Sequence, residues 1–72
     1  MPYVVSVTSE DVGARVVVRR QLPDGGLGDL LGELLRWDDE VAVRDRSGAG
    51  HAVARADVVA AKRVPPAPER RR

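Results

Sequence analysis

A chain of 72 residues with a formal net charge of +1 is long enough for one small domain and too short for two. It has no cysteine, which excludes disulfides and thiolate metal sites, and its one histidine has no predicted partners for a metal site. No apolar run reaches the roughly 18 residues of a membrane-spanning helix, and the N-terminus lacks the basic and apolar regions of a signal peptide. We therefore expect a cytoplasmic protein without a membrane segment, a metal or another cofactor.

Positive charge is concentrated at the C-terminus, where Arg70, Arg71 and Arg72 follow Glu69. Without these residues the net charge changes from +1 to −1, so the body of the chain is not basic. Nucleic-acid-binding domains usually carry a basic face or stripe. The charge distribution therefore disfavours nucleic acid as the main partner of the globular part.

The predicted strands begin at residues 3–7, which form either a short strand or an ordered lead-in. Residues 15–20, RVVVRR, are the clearest strand, because three β-branched residues in a row disfavour a helix. Alternation places Val16 and Val18 on one face of this strand. A turn follows at residues 22–26, where a proline, an aspartate and two glycines favour a reversal of the chain.

Residues 25–39, GGLGDLLGELLRWDD, have two incompatible interpretations. As a helix, their five leucines form one apolar stripe, and this local pattern slightly favours a helix. As a strand, the side chains divide between two faces, with Leu30, Gly32 and Leu34 on one and Leu31, Leu35 and Trp37 on the other. The choice between helix and strand therefore depends on the structure predicted for the neighbouring residues.

Most of the chain after this stretch is predicted to form strands. Two strands are predicted at residues 40–46 and 51–55, and the turn between them is typical of a hairpin. Asp57 can cap a single helical turn before a last strand. From Pro65 the sequence PPAPERRR has the composition of a disordered linker or tail.

Together these elements predict an all-β domain, a five-stranded SH3-like barrel at residues 12–64. A lead-in at residues 1–11 precedes it, one short 3-10 turn comes before the last strand, and a disordered Pro/Arg-rich tail occupies residues 65–72. The alternative is an α+β domain with a helix at residues 27–36. That helix would leave the sheet open with unpaired edges. Because the other predicted elements are strands that need a partner here, the barrel is favoured.

The chain from Val12 to Pro66 also resembles a known family. The segments that carry the resemblance are Gly13, the strand at 16–20, DLLGELLRWDD at 29–39 and, most specifically, ADVVAAKRVPP at 56–66. They are similar to the small SH3-like domain at the N-terminus of actinobacterial acetyltransferases of the GNAT superfamily. The resemblance implies a barrel joined through a Pro-rich linker to a catalytic domain, in the same chain in relatives or supplied by another chain.

The sequence departs from those enzymes because it contains no acetyl-CoA-binding domain. The glycines of GGLGDLLG do not have the spacing of a phosphate-binding loop, and no other stretch can substitute. We therefore expect no enzymatic activity and no catalytic residue in this chain. The expected role is that of a non-catalytic accessory and protein-interaction domain associated with a GNAT-type acetyltransferase.

Three apolar residues, Leu31, Leu35 and Trp37, are the candidate docking surface for that catalytic domain. The strand interpretation places them on the outer face of the barrel, and exposed apolar patches that contain Trp often mark protein interfaces. We expect arginines at the rim of this contact. The alternatives are burial of the three side chains within the domain and pairing of the same strip between two copies of the chain.

The arginines support a second hypothesis, a small nucleic-acid-binding barrel. Its candidate polyanion contacts are Arg19, Arg20, Arg70, Arg71 and Arg72, and neighbouring strands can add Arg15, Arg44, Arg46 and Arg55. Acidic residues are interleaved with these arginines, and no exposed aromatic side chains are available for base stacking. Cross-strand salt pairing is therefore the favoured interpretation.

Two polar groups have residue types that occur in catalytic or metal sites. His51 with Asp45 or Asp57 resembles a general base and its orienting group, and the acidic run at 38–40 resembles a cation site. No nucleophile motif accompanies the histidine, and no loop of ligand spacing surrounds the acids. We therefore interpret the histidine as a polar residue at the end of a hairpin and the acidic run as part of a solvated turn.

Overall fold

The computed structural model describes residues 4–65 and shows one antiparallel sheet of five strands. The strands are β1 (Arg15–Gln21), β2 (Leu27–Trp37), β3 (Glu40–Arg44), β4 (Gly50–Ala54) and β5 (Val58–Arg63), in the order β4-β3-β2-β1-β5. Within the described range, the only helical elements are two 3-10 turns, Ser9–Asp11 and Arg55–Asp57. The predicted all-β class, the five strands and the 3-10 turn before the last strand are confirmed.

Strand β2 decides between the two interpretations of the leucine-rich stretch, and the helix alternative at residues 27–36 is wrong. Residues 27–33 of β2 pair with β1, and residues 33–37 pair with β3. A helix here would leave both neighbouring strands without a partner along these edges. Pairing with two strands therefore overrides the helical periodicity of the leucines.

The core is built from one face of each central strand. Its main side chains are Val16 and Val18 of β1, Leu30 and Leu34 of β2, and Val41 and Val43 of β3. All six are buried, and Leu34 is the largest side chain that is completely buried. Short aliphatic side chains thus fill the interior of a chain that has no phenylalanine.

The segment before β1 packs against the sheet. Val7 is buried in the core, and Val5 forms an isolated parallel bridge with Ala61 of β5. The carboxylate of Asp11, in the first 3-10 turn, forms an ion pair with Arg63 at 3.4 Å. These contacts cover part of the β5 edge, so the lead-in contributes to the domain.

The predicted tail lies outside the described residues apart from Pro65, and so does the first residue of the predicted segment 3–7. Within residues 4–65, no helix has the length and apolar character needed to cross a membrane. The cytoplasmic location stays a prediction.

Candidate docking surface

Leu31 lies on the outer face of the sheet, as the strand interpretation predicts. Its side chain is 47% exposed. In the register of the sheet it is opposite Val17 of β1, and Val17 is in turn opposite Lys62 of β5. Val4, which is 63% exposed, lines a groove on this face together with Val17 and Lys62. We call Val4, Val17 and Leu31 the outer apolar row.

A β-bulge separates Leu31 from the other two predicted docking residues. The pairing of β2 with β3 shifts by one residue between Leu34 and Arg36, so Leu35 is the extra residue. An extra residue reverses the alternation of side chains in the rest of the strand. Residues after the bulge therefore face the side opposite to the one that simple alternation predicts.

Trp37 accordingly lies on the core side of the sheet. It pairs with Val41, which is completely buried, and its half-buried ring packs against the core. The guanidinium of Arg55 lies 5.0 Å from the centroid of the Trp37 ring, at a distance typical of a cation–π contact. The expectation that Leu31, Leu35 and Trp37 form one outer strip is therefore wrong, because the bulge turns Trp37 inward.

The groove beside the outer apolar row has a volume of about 390 Å³ and a charged rim. Arg19 and Asp29 form an ion pair across β1 and β2, with Nε and Oδ1 2.9 Å apart and a second hydrogen bond of 3.2 Å. This hydrogen bonding lowers the pKa of Asp29 from its ordinary value. The charged rim of this groove is therefore an ion pair between neighbouring strands, which agrees with the cross-strand salt pairing expected from the sequence.

The predicted polyanion contacts are only partly within the described residues. Arg19 is occupied by Asp29, and Arg20 is half-buried, with its Nε atom buried and without a hydrogen-bond partner among residues 4–65. Arg70, Arg71 and Arg72 lie outside the described range. Neither described arginine is the exposed, unpaired cation that phosphate contact requires.

A second cleft, of about 760 Å³, lies where β2 passes from its pairing with β1 to its pairing with β3. We call it the Gly32 cleft, and its lining includes Leu31, Gly32, Arg15, Arg44 and Arg46. Arg44 forms an ion pair with Glu33 at 3.6 Å. Arg15 and Arg46 form no ion pair within residues 4–65. The cleft therefore combines an exposed leucine with three arginines and two carboxylates, Glu33 and Asp45, which leaves a net charge of +1.

The carboxylate of Asp45 stabilises the turn between β3 and β4 by accepting hydrogen bonds. One carboxylate oxygen accepts hydrogen bonds from the Ser47 hydroxyl at 2.6 Å and from the backbone amides of Ser47 and Ala49. The other lies 2.7 Å from Nε2 of His51. Because the carboxylate lies between the hydroxyl and the imidazole, His51 is not placed to take the proton of Ser47, and the group is a turn network without a catalytic arrangement.

Two of the three acidic side chains at 38–40 pair with a neighbouring arginine. Arg36 forms ion pairs with Asp38 at 2.9 Å and with Glu40 at 3.4 Å. A backbone hydrogen bond from Glu40, together with the hydrogen bond from Arg36, lowers the pKa of Asp38 from its ordinary value. In the part of the chain that the structure describes, no three acidic or histidine side chains are grouped so that they can hold a metal ion.

Comparison with known proteins identifies the family of the fold. A family model described as the Rv0428c N-terminal Sm-like domain matches residues 10–62, well over half of the chain. The chain belongs to this family. An Sm-like domain is a small β-barrel, which agrees with the five-stranded sheet. No curated protein and no solved structure matches the chain significantly.

The turn network of the Sm-like domain predicts a loss of stability in acid. The hydrogen bonds from Ser47 and His51 hold the pKa of Asp45 well below its usual value. A depressed folded-state pKa stabilises the fold above the unfolded pKa of about 3.9, and this contribution is lost as pH falls below that value. We expect the free energy of unfolding of the wild type to fall more steeply than that of Asp45→Asn between about pH 5 and about pH 2.

Urea unfolding at a series of pH values measures this difference. Asp24→Asn is the matched control, because Asp24 accepts a backbone hydrogen bond from Gly26 in another exposed turn. A loss of acid dependence in Asp45→Asn that Asp24→Asn does not share would assign it to the contacts of Asp45 with Ser47 and His51. Parallel pH profiles for the wild type and Asp45→Asn would show that the Asp45 network contributes nothing to acid stability.

Two features of the candidate docking surface were not predicted from the sequence. The bulge at Leu35 carries no local signal, because no glycine or proline interrupts the strand there. The Gly32 cleft had a partial signal, since a glycine within a strand pattern often marks a close approach of another backbone. The arginines around it are separated in sequence, and only strand pairing brings them together.

Proposed function

We propose that this Sm-like domain is a non-catalytic accessory domain that docks onto the catalytic domain of a GNAT-type acetyltransferase. The proposal is supported by the resemblance of residues 56–66 and 29–39 to the N-terminal domains of such enzymes and by an exposed apolar surface. The catalytic domain is in the same chain or in another one. No cofactor is needed for this role.

The observation that carries the proposal is the outer apolar row. Leu31 and Val4 are two of the four large apolar side chains that residues 4–65 expose. Both lie on the face where Val17 and Lys62 are neighbours in the sheet. An apolar centre with a charged rim is the usual composition of a protein interface.

The path of the chain also favours this face. The amide of Val64 donates a hydrogen bond to the carbonyl oxygen of Arg15 at 2.9 Å, so the chain beyond β5 continues beside the first residue of β1. A domain that follows Pro65 through a short linker would have a high effective concentration at the neighbouring outer face. Leu35 is half-buried at the bulge and extends the proposed contact, whereas Trp37 supports the sheet from its core side.

The test is an amide NMR titration of the labelled chain with a GNAT catalytic domain from the same organism. We expect shifts at Leu31, Val17 and Lys62 that persist when salt is added, since apolar contacts are not screened. Leu31→Glu should weaken binding at least about tenfold, as expected for a residue at the centre of an interface. Leu27→Glu is the matched control, because Leu27 is 42% exposed on the same strand but lies opposite Gln21, at the other end of β1.

Equal effects of Leu31→Glu and Leu27→Glu, or no shifts on the outer face, would contradict the proposal. The rival hypothesis of a nucleic-acid-binding barrel predicts a different result with a single-stranded oligonucleotide. Its shifts would occur at Arg19 and Arg20, and its affinity would fall steeply with ionic strength. Self-association through the same row would appear in sedimentation as a dimer that Leu31→Glu dissociates.

A further inference from the structure

The two outermost strands of the sheet differ in what covers their outer edges. The segment before β1 covers the edge of β5, because the amide of Ser6 donates a hydrogen bond to the carbonyl oxygen of Ala61 at 2.9 Å and the amide of Ala61 donates to that of Val4 at 3.0 Å. No segment within residues 4–65 pairs with the outer edge of β4. An uncovered edge strand can accept an added strand.

Hydrogen bonds at the two ends of the β3–β4 ladder determine which backbone groups this edge presents. At one end the amide of Asp45 donates to the carbonyl oxygen of Ala49, and at the other the amide of Arg55 donates to that of Asp39, both at 2.9 Å. Residues 49 and 55 therefore direct their backbone groups toward β3. Because backbone groups alternate in direction along a strand, residues 51 and 53 also face β3, and residues 50, 52 and 54 face away from it.

We call Gly50, Ala52 and Ala54 the edge residues. All three are exposed, and none takes part in a turn or loop backbone hydrogen bond within residues 4–65. The sequence of β4, GHAVA, contains no charged residue and no proline, and its register with β3 has no bulge. Charges, prolines and bulges are common devices that prevent addition of a strand to an edge. The edge of β4 has none of these three devices.

A second copy of the same strand fits this edge in one register. When the two strands run antiparallel with Ala52 opposite the partner's Ala52, each edge residue lies opposite an edge residue of the partner. Residues whose backbone groups face each other in this way exchange two hydrogen bonds per pair, so the three pairs form about six hydrogen bonds. Every backbone group that the edge residues present is then paired.

The side chains are compatible with the same register. Val53 is half-buried against the core, and it lies opposite the partner's His51, which would cover it further. The side chains on the other face are those of the edge residues, which are too small to obstruct the partner. Arg55 and Asp57 lie opposite uncharged residues of the partner, so no like charges are opposed between residues 47 and 57.

We propose that the uncovered edge of β4 pairs with the same edge of a second copy of this chain, antiparallel about a twofold axis at Ala52. A head-to-tail array through the outermost strands would also need an open β5 edge, which residues 4–6 cover, so the pairing stops at two copies. A five-residue strand gives a contact at the small end of specific interfaces, below about 1,200 Å², so the dimer is weak. This inference goes beyond the proposed function, since it concerns β4 and not the outer apolar row.

The first test is sedimentation equilibrium of the whole chain. We expect mostly monomer at about 10 μM and mostly dimer at about 1 mM, as for a dissociation constant on the order of 0.1 mM. In a mixture of isotope-labelled and unlabelled chains, NMR should detect an intermolecular contact between the Hα atoms of His51 and the partner's Val53, because non-hydrogen-bonded pairs bring the α-carbons closest. A chain that is monomeric at about 1 mM would overturn the inference.

Ala52→Pro tests the backbone pairing. The substitution removes an amide that faces the edge and leaves the hydrogen bonds between β3 and β4 intact, and proline is tolerated at such edge positions. It should weaken dimerisation at least about tenfold, since two of the six hydrogen bonds at the axis are lost. Leu31→Glu is the matched control and should leave this dimer unchanged. A dimer that Leu31→Glu dissociates and Ala52→Pro does not would overturn the inference in favour of the outer apolar row.

Charge exchange at the axis tests the register without proline. Ala52→Lys and Ala52→Glu should each be monomeric at about 1 mM, because like charges are opposed at the twofold axis, and an equimolar mixture of the two should dimerise. Gln21→Lys is the control, because Gln21 is exposed on β1, with β2 and β3 between it and β4. That variant should dimerise as the wild type does. Dimerisation of Ala52→Lys by itself, or a mixture that stays monomeric, would overturn the proposed register.

The result is separable from the test of the proposed function. Docking of the catalytic domain by a chain that stays monomeric would overturn the dimer inference alone. Dimerisation through β4 without docking of the catalytic domain would overturn the proposed function alone.

Discussion

Replacing Leu34 with alanine should leave the domain largely unfolded at room temperature. Leu34 is completely buried in the core, so the substitution creates a cavity as well as removing buried apolar surface. Such substitutions cost about 2–5 kcal/mol. The whole free energy of unfolding of a domain this small is about 3–5 kcal/mol, so the loss is of the same size as the total. Circular dichroism and urea unfolding measure the outcome.

Leu31→Ala is the matched control, since it removes the same atoms from the same strand. Leu31 is 47% exposed, so we expect a change in the free energy of unfolding within about 0.5 kcal/mol. Equal losses for the two variants would show that the assignment of the two faces of β2 is incorrect. The comparison therefore tests the strand interpretation as well as the size of the core contribution.

Replacing Gly32 with alanine should have the second largest effect on stability. A Cβ atom at this position would overlap the backbone carbonyl oxygen of Arg44, and it would lie 2.8 Å from the Arg44 carbonyl carbon and 3.1 Å from Cα of Asp45. These are backbone atoms of β3 and its turn, so relief requires movement of a strand. We expect a loss of about 1–3 kcal/mol, as for other overpacked sites.

The Gly32→Ala substitution should also change amide exchange most strongly near residue 32. Because β3 must move away from β2, the amides that pair Glu33 with Arg44 should exchange faster, while those that pair β1 with β5 change less. The control is Gly50→Ala in β4, where a Cβ atom would meet no atom within 4 Å. That variant should be as stable as the wild type or more stable by about 0.4–1 kcal/mol. A stable Gly32→Ala variant would contradict the close approach of the two backbones.

Gly32 also connects stability with the candidate site. The close approach that excludes a side chain brings the turn after β3 against the middle of β2, and this juxtaposition forms the Gly32 cleft. Arg46 and Leu31 are neighbours only because the two backbones meet there. A substitution at Gly32 should therefore change the shape of the cleft together with the stability of the fold.

Much of the fold could be predicted from particular residues. The three consecutive valines of β1 and the alternating valines of β3 indicate strands without reference to any partner. The turn residues at 22–26 and 47–50 indicate where the chain reverses. The leucine-rich stretch was different, since its helical periodicity was real and only its neighbours argued for a strand.

The candidate site could be predicted only in part. The outer placement of Leu31 followed from simple alternation from the buried positions Leu30 and Leu34. The same rule failed for Trp37, because it assumes an unbroken register and β2 has a bulge at Leu35. Salt pairing between neighbouring strands was expected, but the particular pairs, such as Arg19 with Asp29, depend on the register.

By itself the sequence determined the strand content, the order of the five strands and the apolar faces that supply the main side chains of the core. These follow from local preferences and from the period-two alternation of apolar residues, which each segment carries independently of the others. Only the tertiary structure decided that Trp37 turns inward and that Arg15 and Arg46 lie at one cleft with Leu31. These features arise from the register and bending of paired strands, which depend on contacts between residues far apart in the chain.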